Sequence, residues 1–243
     1  KRAEKLSEQG WGILMPFSHF SARDSMEMTI RPLSASPVLR SKPMVIAIEW
    51  SHYWNLPPLR LVARLAGVTL IPIVIDDTLK KRKNYDAQHR PLPLGHGTLE
   101  YFRVARRALR ENGIVWVSPQ QGRRPKLELT EREPMKFVLG KENDFQNIAV
   151  MFIALSLKGE VDYSRRTGLD LGKTFDVKMG PTITKAELYA LSREMGRSID
   201  ETTLIIYSHL VDPGYNAIKA SWSWDDISKW LDQFEAAPAY HRA

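Results

Sequence analysis

The chain has 243 residues, 43% of them hydrophobic and 26% charged, and no cysteine. That composition excludes a disordered chain, a collagen-like repeat, a disulfide framework, thiolate zinc or iron–sulfur sites and a cysteine nucleophile, and it fits a reducing compartment. Lys and Arg number 35 against 28 Asp and Glu, and the resulting charge of +7 attracts anions: lipid headgroups, phosphorylated substrates, coenzyme A, an acidic carrier protein or nucleic acid.

Residues 1–9 are charged and compatible with a helix. Residues 12–17 (GILMPF) form an apolar run that predicts a buried strand, ending at Ser18 and His19. Ser21 then looks like a helix cap, with Asp24 three residues on, where a carboxylate favours a helix N-terminus. Residues 43–49 (PMVIAIE) predict a second buried strand, and 56–65, rich in Leu and Arg, a helix. Residues 67–75 (GVTLIPIVI) predict a strand in which Pro72 marks an edge, a bulge or a strand start. The polar, basic stretch 77–93 reads as a loop. Helical periodicity over 98–112 stops at Gly113, taken as the C′ residue. A strand over 114–117 (IVWV) leads into a turn-rich stretch, 118–125. Residues 148–157 predict a strand, and 175–179 a short one before Gly180 and Pro181. Helices are expected over 184–195 and 198–210, separated by Gly196, with Thr184 and Ser198 each three residues ahead of an acid as in a capping box. In a last helix, 225–234, Ile227, Trp230, Leu231 and Phe234 share one face.

Strands alternating with helices predict an α/β fold: a largely parallel central sheet flanked by helices. No linker divides the chain, so 1–243 is read as a single domain. No stretch reaches the roughly 20 apolar residues of a membrane-crossing helix. The chain starts at Lys1 rather than Met, which leaves an upstream anchor or signal open.

The stretch richest in chemistry is Ser18-His19-Phe20-Ser21-Ala22-Arg23-Asp24. A His at the end of a strand, with an Asp in the first turn of the next helix, suits a general-base pair. The carboxylate accepts a hydrogen bond from one ring nitrogen, fixes the tautomer and stabilises the imidazolium that forms when the other nitrogen takes a proton. Chance spacing of His and Asp is the plainer alternative. Further along, Gly122 allows close backbone approach, and Arg123 and Arg124 offer planar donor forks suited to phosphate; a basic surface turn is the alternative.

These two stretches together resemble the glycerophospholipid acyltransferase superfamily, which includes the glycerol-3-phosphate and lysophosphatidic acid acyltransferases. Its first motif, Asn-His-x-Ser-x-x-Asp, is matched at His19, Ser21 and Asp24, with Ser18 in place of Asn. Its third motif, roughly Pro-Glu-Gly-Thr-Arg after a strand, is matched at Pro119 and Arg123, with Gln120 in place of Glu. The resemblance runs from about Gly10 to Tyr215, although the second motif's Arg and the fourth motif's Pro are missing.

The resemblance implies an acyltransferase-like fold and direct transfer of a fatty acyl group from a thioester, acyl-CoA or acyl carrier protein. The acceptor would be a hydroxyl of a glycerol-phosphate-type molecule, 1-acyl-glycerol-3-phosphate being the family's commonest. His19 would be the base and Asp24 its orienting partner, with Ser21 and Gln120 supporting them. Gly122, Arg123 and Arg124 would hold phosphate, and Lys80 and Lys81 would replace the missing Arg. No metal and no cofactor beyond the acyl thioester is required. The implied setting is the cytoplasmic face of an anionic membrane, with no nucleic acid.

Other features have bland readings beside functional ones. His52 lies among Trp50, Tyr53 and Trp54, which suits either core packing or an acyl or headgroup groove. His89 and His96 read as loop histidines. Arg103, Arg106, Arg107 and Arg110 form a stripe that is either a solvated face or a contact with anionic lipid or an acidic carrier. Two rivals stand beside the enzyme reading. One is an inactive family member that binds lipid or carrier protein. The other is a basic nucleic-acid-binding protein, which explains the charge but not the His-Asp pair.

Overall fold

Apolar runs without polar alternation belong in strands covered on both faces. Here they build one six-stranded sheet. β1 (Gly12–Pro16), β2 (Met44–Glu49), β3 (Val68–Ile73), β4 (Ile114–Val117) and β5 (Ile148–Leu157) are parallel. β6 (Phe175–Thr184) pairs antiparallel to β5, and the order is β3-β2-β4-β1-β5-β6. The structure, a computed structural model, describes residues 1–17, 36–74, 86, 89–93, 97–120, 126–131, 133–157, 175–211 and 213–236. Among these, the helices are α1 (Arg2–Glu8), α2 (Pro37–Arg40), α3 (Trp50–Asn55), α4 (Pro57–Leu65), α5 (Thr98–Arg110), α6 (Pro134–Leu139), α7 (Lys185–Met195), α8 (Ile199–Ser208) and α9 (Trp224–Ala236). The expected α/β architecture is therefore present.

The centre of the sheet is the core. Ile13, Leu14, Ile114, Val115, Ala149 and Val150 have no accessible surface. Each of the larger side chains among them, Ile, Leu or Val, contributes roughly 1.5–3 kcal/mol by leaving water. Gly12 lets this centre close: a Cβ there would stand 2.2 Å from the Leu109 carbonyl oxygen, so the end of α5 packs on the start of β1 without an intervening side chain. Pro72 sits in β3, the edge strand, where a missing N–H is tolerated.

Capping follows the sequence pattern closely. Thr184 accepts from the Glu187 N–H while Glu187 accepts from the Thr184 N–H, and Ser198 and Glu201 do the same for α8. Between them, Gly196 takes the left-handed conformation (φ 61°) that ends α7. α6 has no cap of its own. Instead Asp200, fully buried in the first turn of α8, accepts from the Met135 and Lys136 N–H groups at 2.8 and 3.1 Å. The arginine stripe on α5 is partly engaged by the protein itself. Arg103 pairs with Glu100, Arg107 with Glu111, and Arg106 donates to the Phe137 carbonyl.

Two expectations need correcting, and one element went unpredicted. The strand expected over 175–179 continues through Gly180 and Pro181 to Thr184. Its register against β5 slips between Met151 and Ile153, so the Gly-Pro pair occupies a bulge in an edge strand rather than a strand end. A Cβ at 180 would meet Phe152 Cβ at 2.9 Å and Leu210 Cδ1 at 2.5 Å, which is why a glycine stands there. The stop after α5 is also shifted. Asn112, not Gly113, has the positive φ (60°), while Gly113 serves for space, since its Cβ would come within 3.0 Å of both the Ala108 and Pro43 carbonyl oxygens. Lastly, the aromatic stretch beginning at Trp50 is helical (α3), which its composition did not announce.

Candidate functional site

Five parallel strands place their C-terminal ends along one edge of the sheet. The chain leaves β1 for β2 on one side, while it leaves β5 for β6 on the other. The C-terminal ends of parallel strands are the usual ligand position in open α/β sheets. β4, which precedes the stretch 118–125, is β1's other neighbour.

The exit of β1 is held from both sides. Toward β4, the Phe17 N–H donates to the Val117 carbonyl at 3.0 Å, and the Phe17 ring lies 5.3 Å from that of Trp116. Toward β5, Tyr207 of α8 does the work of a ladder bond. Its hydroxyl has its single proton shared between the Pro16 and Ile153 carbonyls and accepts from the Ile153 N–H at 3.3 Å. Regular β1–β5 pairing ends at Leu14 opposite Val150 and resumes as a single bridge between Phe17 and Ile153, and the phenol sits at this irregular stretch. Burial raises the Tyr207 pKa far above that of an ordinary phenol, which keeps the hydroxyl protonated and donating. The backbone is thus fixed two residues before His19.

The exit of β4 is fixed by Gln120, which is 4% exposed. Its Nε2 donates to the Lys126 and Glu128 carbonyls at 3.1 and 3.4 Å, and its Oε1 accepts from the Tyr215 hydroxyl at 3.2 Å. The Leu127 N–H donates to the Tyr215 carbonyl at 2.8 Å, and the Ala217 N–H to the Leu127 carbonyl at 2.9 Å. Both ends of the stretch 121–125 are therefore tied to each other and to the tail around Tyr215. An amide is what this position needs, because a carboxylate would turn an oxygen toward two carbonyl oxygens. Gln120 acts as an internal clamp here, and the side chain is spent on the protein itself.

Of the residues singled out in the sequence, Gln120 is described. His19, Ser21, Asp24, Gly122, Arg123, Arg124, Lys80 and Lys81 lie outside the described residues. The strands that lead to the first two groups, β1 and β4, are hydrogen-bonded neighbours. β3, which leads to Lys80 and Lys81, is three strands from β1, about 14 Å at ordinary strand spacing. Asp86, further along the chain, is described and meets Trp50 of α3. Its carboxylate accepts from Trp50 Nε1 at 3.2 Å and from the Arg90 N–H and Nε at 2.9 and 2.5 Å.

Sequence reasoning missed Tyr207 and Asp200. A tyrosine within the apolar run of α8 carries no local signal of a partner 191 residues away. Elsewhere, a shallow groove of about 320 Å³ runs between Trp222 and α9, lined by Asp226, Lys229, Trp230 and Gln233. Among the described residues no group of His, Asp and Glu is arranged to hold a metal ion, and no helix is long and apolar enough to cross a membrane.

Compared with known proteins, the chain matches no protein-family model and no curated protein.

Proposed function

We propose that this chain is an acyltransferase-like enzyme of the glycerophospholipid acyltransferase type. It would move a fatty acyl group from acyl-CoA or acyl carrier protein to a hydroxyl of a glycerol-phosphate-type acceptor, 1-acyl-glycerol-3-phosphate first among them. The observation that carries the reading is the pairing of β1 with β4. It brings the exits toward His19 and Asp24 and toward Gly122, Arg123 and Arg124 to adjacent points on the sheet edge where such folds bind ligands.

In this reading His19 accepts the proton of the acceptor hydroxyl while Asp24 holds the ring and stabilises the imidazolium. The acceptor oxygen attacks the thioester carbonyl, and a tetrahedral oxyanion forms. Collapse breaks the carbon–sulfur bond, and the thiolate leaves, taking the proton back from His19. Arg123, assisted by Arg124, Lys80 and Lys81, neutralises acceptor or coenzyme phosphate. Gln120 supports these groups only through the backbone that it clamps. The setting is the cytoplasmic face of a membrane, to which the protein attaches peripherally.

His19→Ala is expected to lower transfer from a long-chain acyl thioester by roughly a hundred- to ten-thousandfold, with an unchanged urea unfolding midpoint. Full turnover in that variant rejects the mechanism. The absence of a charge at Gln120 favours one second reading, a lipid- or carrier-binding relative without turnover. A wild-type protein that binds acyl thioester but releases no thiol with any phosphorylated acceptor would establish it.

A further inference from the structure

The helix α4 presents three different surfaces. Pro57 and Pro58 open it, and their fixed φ starts a helix without a side-chain cap. At about 3.6 residues per turn, Leu59 and Ala63 fall on one side, and these are the residues that face the protein: Ala63 is buried and Leu59 half-buried. Arg60 and Arg64 fall on a second side. The third side carries Leu61, Val62 and Leu65, which are 60%, 61% and 80% exposed, with Leu56 at the head of the helix also exposed. Among the described residues, the other large exposed apolar side chains, Leu99, Leu129, Phe137 and Met179, are scattered along the chain. A cluster such as the one on α4 calls for a covering partner.

Charge identifies that partner. Residues 50–65 contain no Asp or Glu. Arg60 lies over the rings of Tyr53 and Trp54 at 5.2 and 5.1 Å, and Arg90 lies 5.7 Å from Trp54. Aliphatic side chains flanked by arginines and by Trp and Tyr are the ingredients of a helix that lies in a lipid interface. α9 offers the contrast. It has Trp222 and Trp224 at its head, yet it carries Asp225, Asp226 and Asp232, and it packs on the domain through the fully buried Ile227.

We infer that α4 is the membrane-docking element of this protein: Leu61, Val62 and Leu65 enter the acyl boundary of an anionic bilayer, and Arg60 and Arg64 meet lipid phosphates beside them. This deepens the membrane part of the proposed function and rests on that part alone.

The test is co-sedimentation of the full chain with vesicles of phosphatidylcholine, and with vesicles of equal parts phosphatidylcholine and phosphatidylglycerol. Leu61→Ser with Leu65→Ser is expected to weaken binding to the mixed vesicles at least about tenfold. Arg60→Gln with Arg64→Gln should erase the preference for phosphatidylglycerol, a loss of roughly tenfold or more for two surface cations. Both pairs should keep the wild-type unfolding midpoint and the wild-type rate with a short, water-soluble thioester. His19→Ala should do the reverse, losing transfer and keeping vesicle binding, so the docking face and the chemistry fail separately. Unchanged vesicle binding in the serine pair overturns the inference. So does a wild-type dimer, seen by light scattering, that the serine pair splits, because the face then belongs to a second copy.

Discussion

The two halves of this sheet differ in what holds them. In the half made by β1, β4 and β5, strands are sealed on both faces, and residues such as Ile13, Ile114 and Val150 have no contact with solvent. In the half made by β2 and β3, the residues from Ile46 to Glu49 are only half-buried, no residue of β3 is fully buried, and α4 contributes Ala63 as its one buried side chain. Parallel sheets ordinarily need cover on both faces. The first half meets that need internally and aims two strand exits at a common point. The second half leaves apolar surface uncovered at its rim, which is the physical opening for a partner.

The sharpest way to break this contrast is to delete equivalent volume from each side. Leu14→Ala is expected to cost about 2–5 kcal/mol, because the site is fully buried and a cavity remains. Leu61→Ala should stay within about 0.5 kcal/mol, as for other surface changes. Urea unfolding measures both, and equal costs would mean that the α4 face is covered in solution.

A second test uses the buried carboxyl beneath the well-packed half. Burial raises the Asp200 pKa to about 7 from an ordinary 3.8, against the opposing effect of its two backbone hydrogen bonds. The folded state therefore holds a proton that the unfolded chain has released. The stability contributed by the neutral acid is complete below the unfolded pKa and is lost as pH rises through the folded one. Relative to Asp200→Asn, wild type should lose stability between about pH 4 and pH 7, by an amount on the order of a few kcal/mol. A flat difference across that range would show that the carboxyl is ionised throughout.

A smaller effect is expected at the β1–β5 seam. Tyr207→Phe removes the hydroxyl that serves Pro16 and Ile153 and should cost about 1–3 kcal/mol. Transfer activity, if the proposed function holds, should fall along with it, because the backbone leading to His19 loses one of its anchors. Full stability in this variant would mean that the strands hold this stretch themselves.

Much of this architecture was legible in the sequence. Each sealed strand is an unbroken apolar run, and α7 and α8 each start at a hydroxyl residue three places before a glutamate. What stayed hidden depends on contacts across the fold. Gly180 and Pro181 look like a strand end until β5 is seen beside them. The aromatic stretch at Trp50 has no helical period to betray α3. For the candidate site, the chain order of the motifs could be read directly, whereas the adjacency of β1 and β4, separated by roughly a hundred residues, could not. Gln120 shows the same limit. It looked like a replaced acidic group, and its partner Tyr215 lies 95 residues away.

That clamp has a practical consequence. Since Gln120 at one end holds the Lys126 and Glu128 carbonyls at the other, the two flanks of positions 121–125 are fixed relative to each other. Sequences exchanged between those flanks would leave the anchors in place, so such grafts test whether Gly122, Arg123 and Arg124 decide any preference for anions.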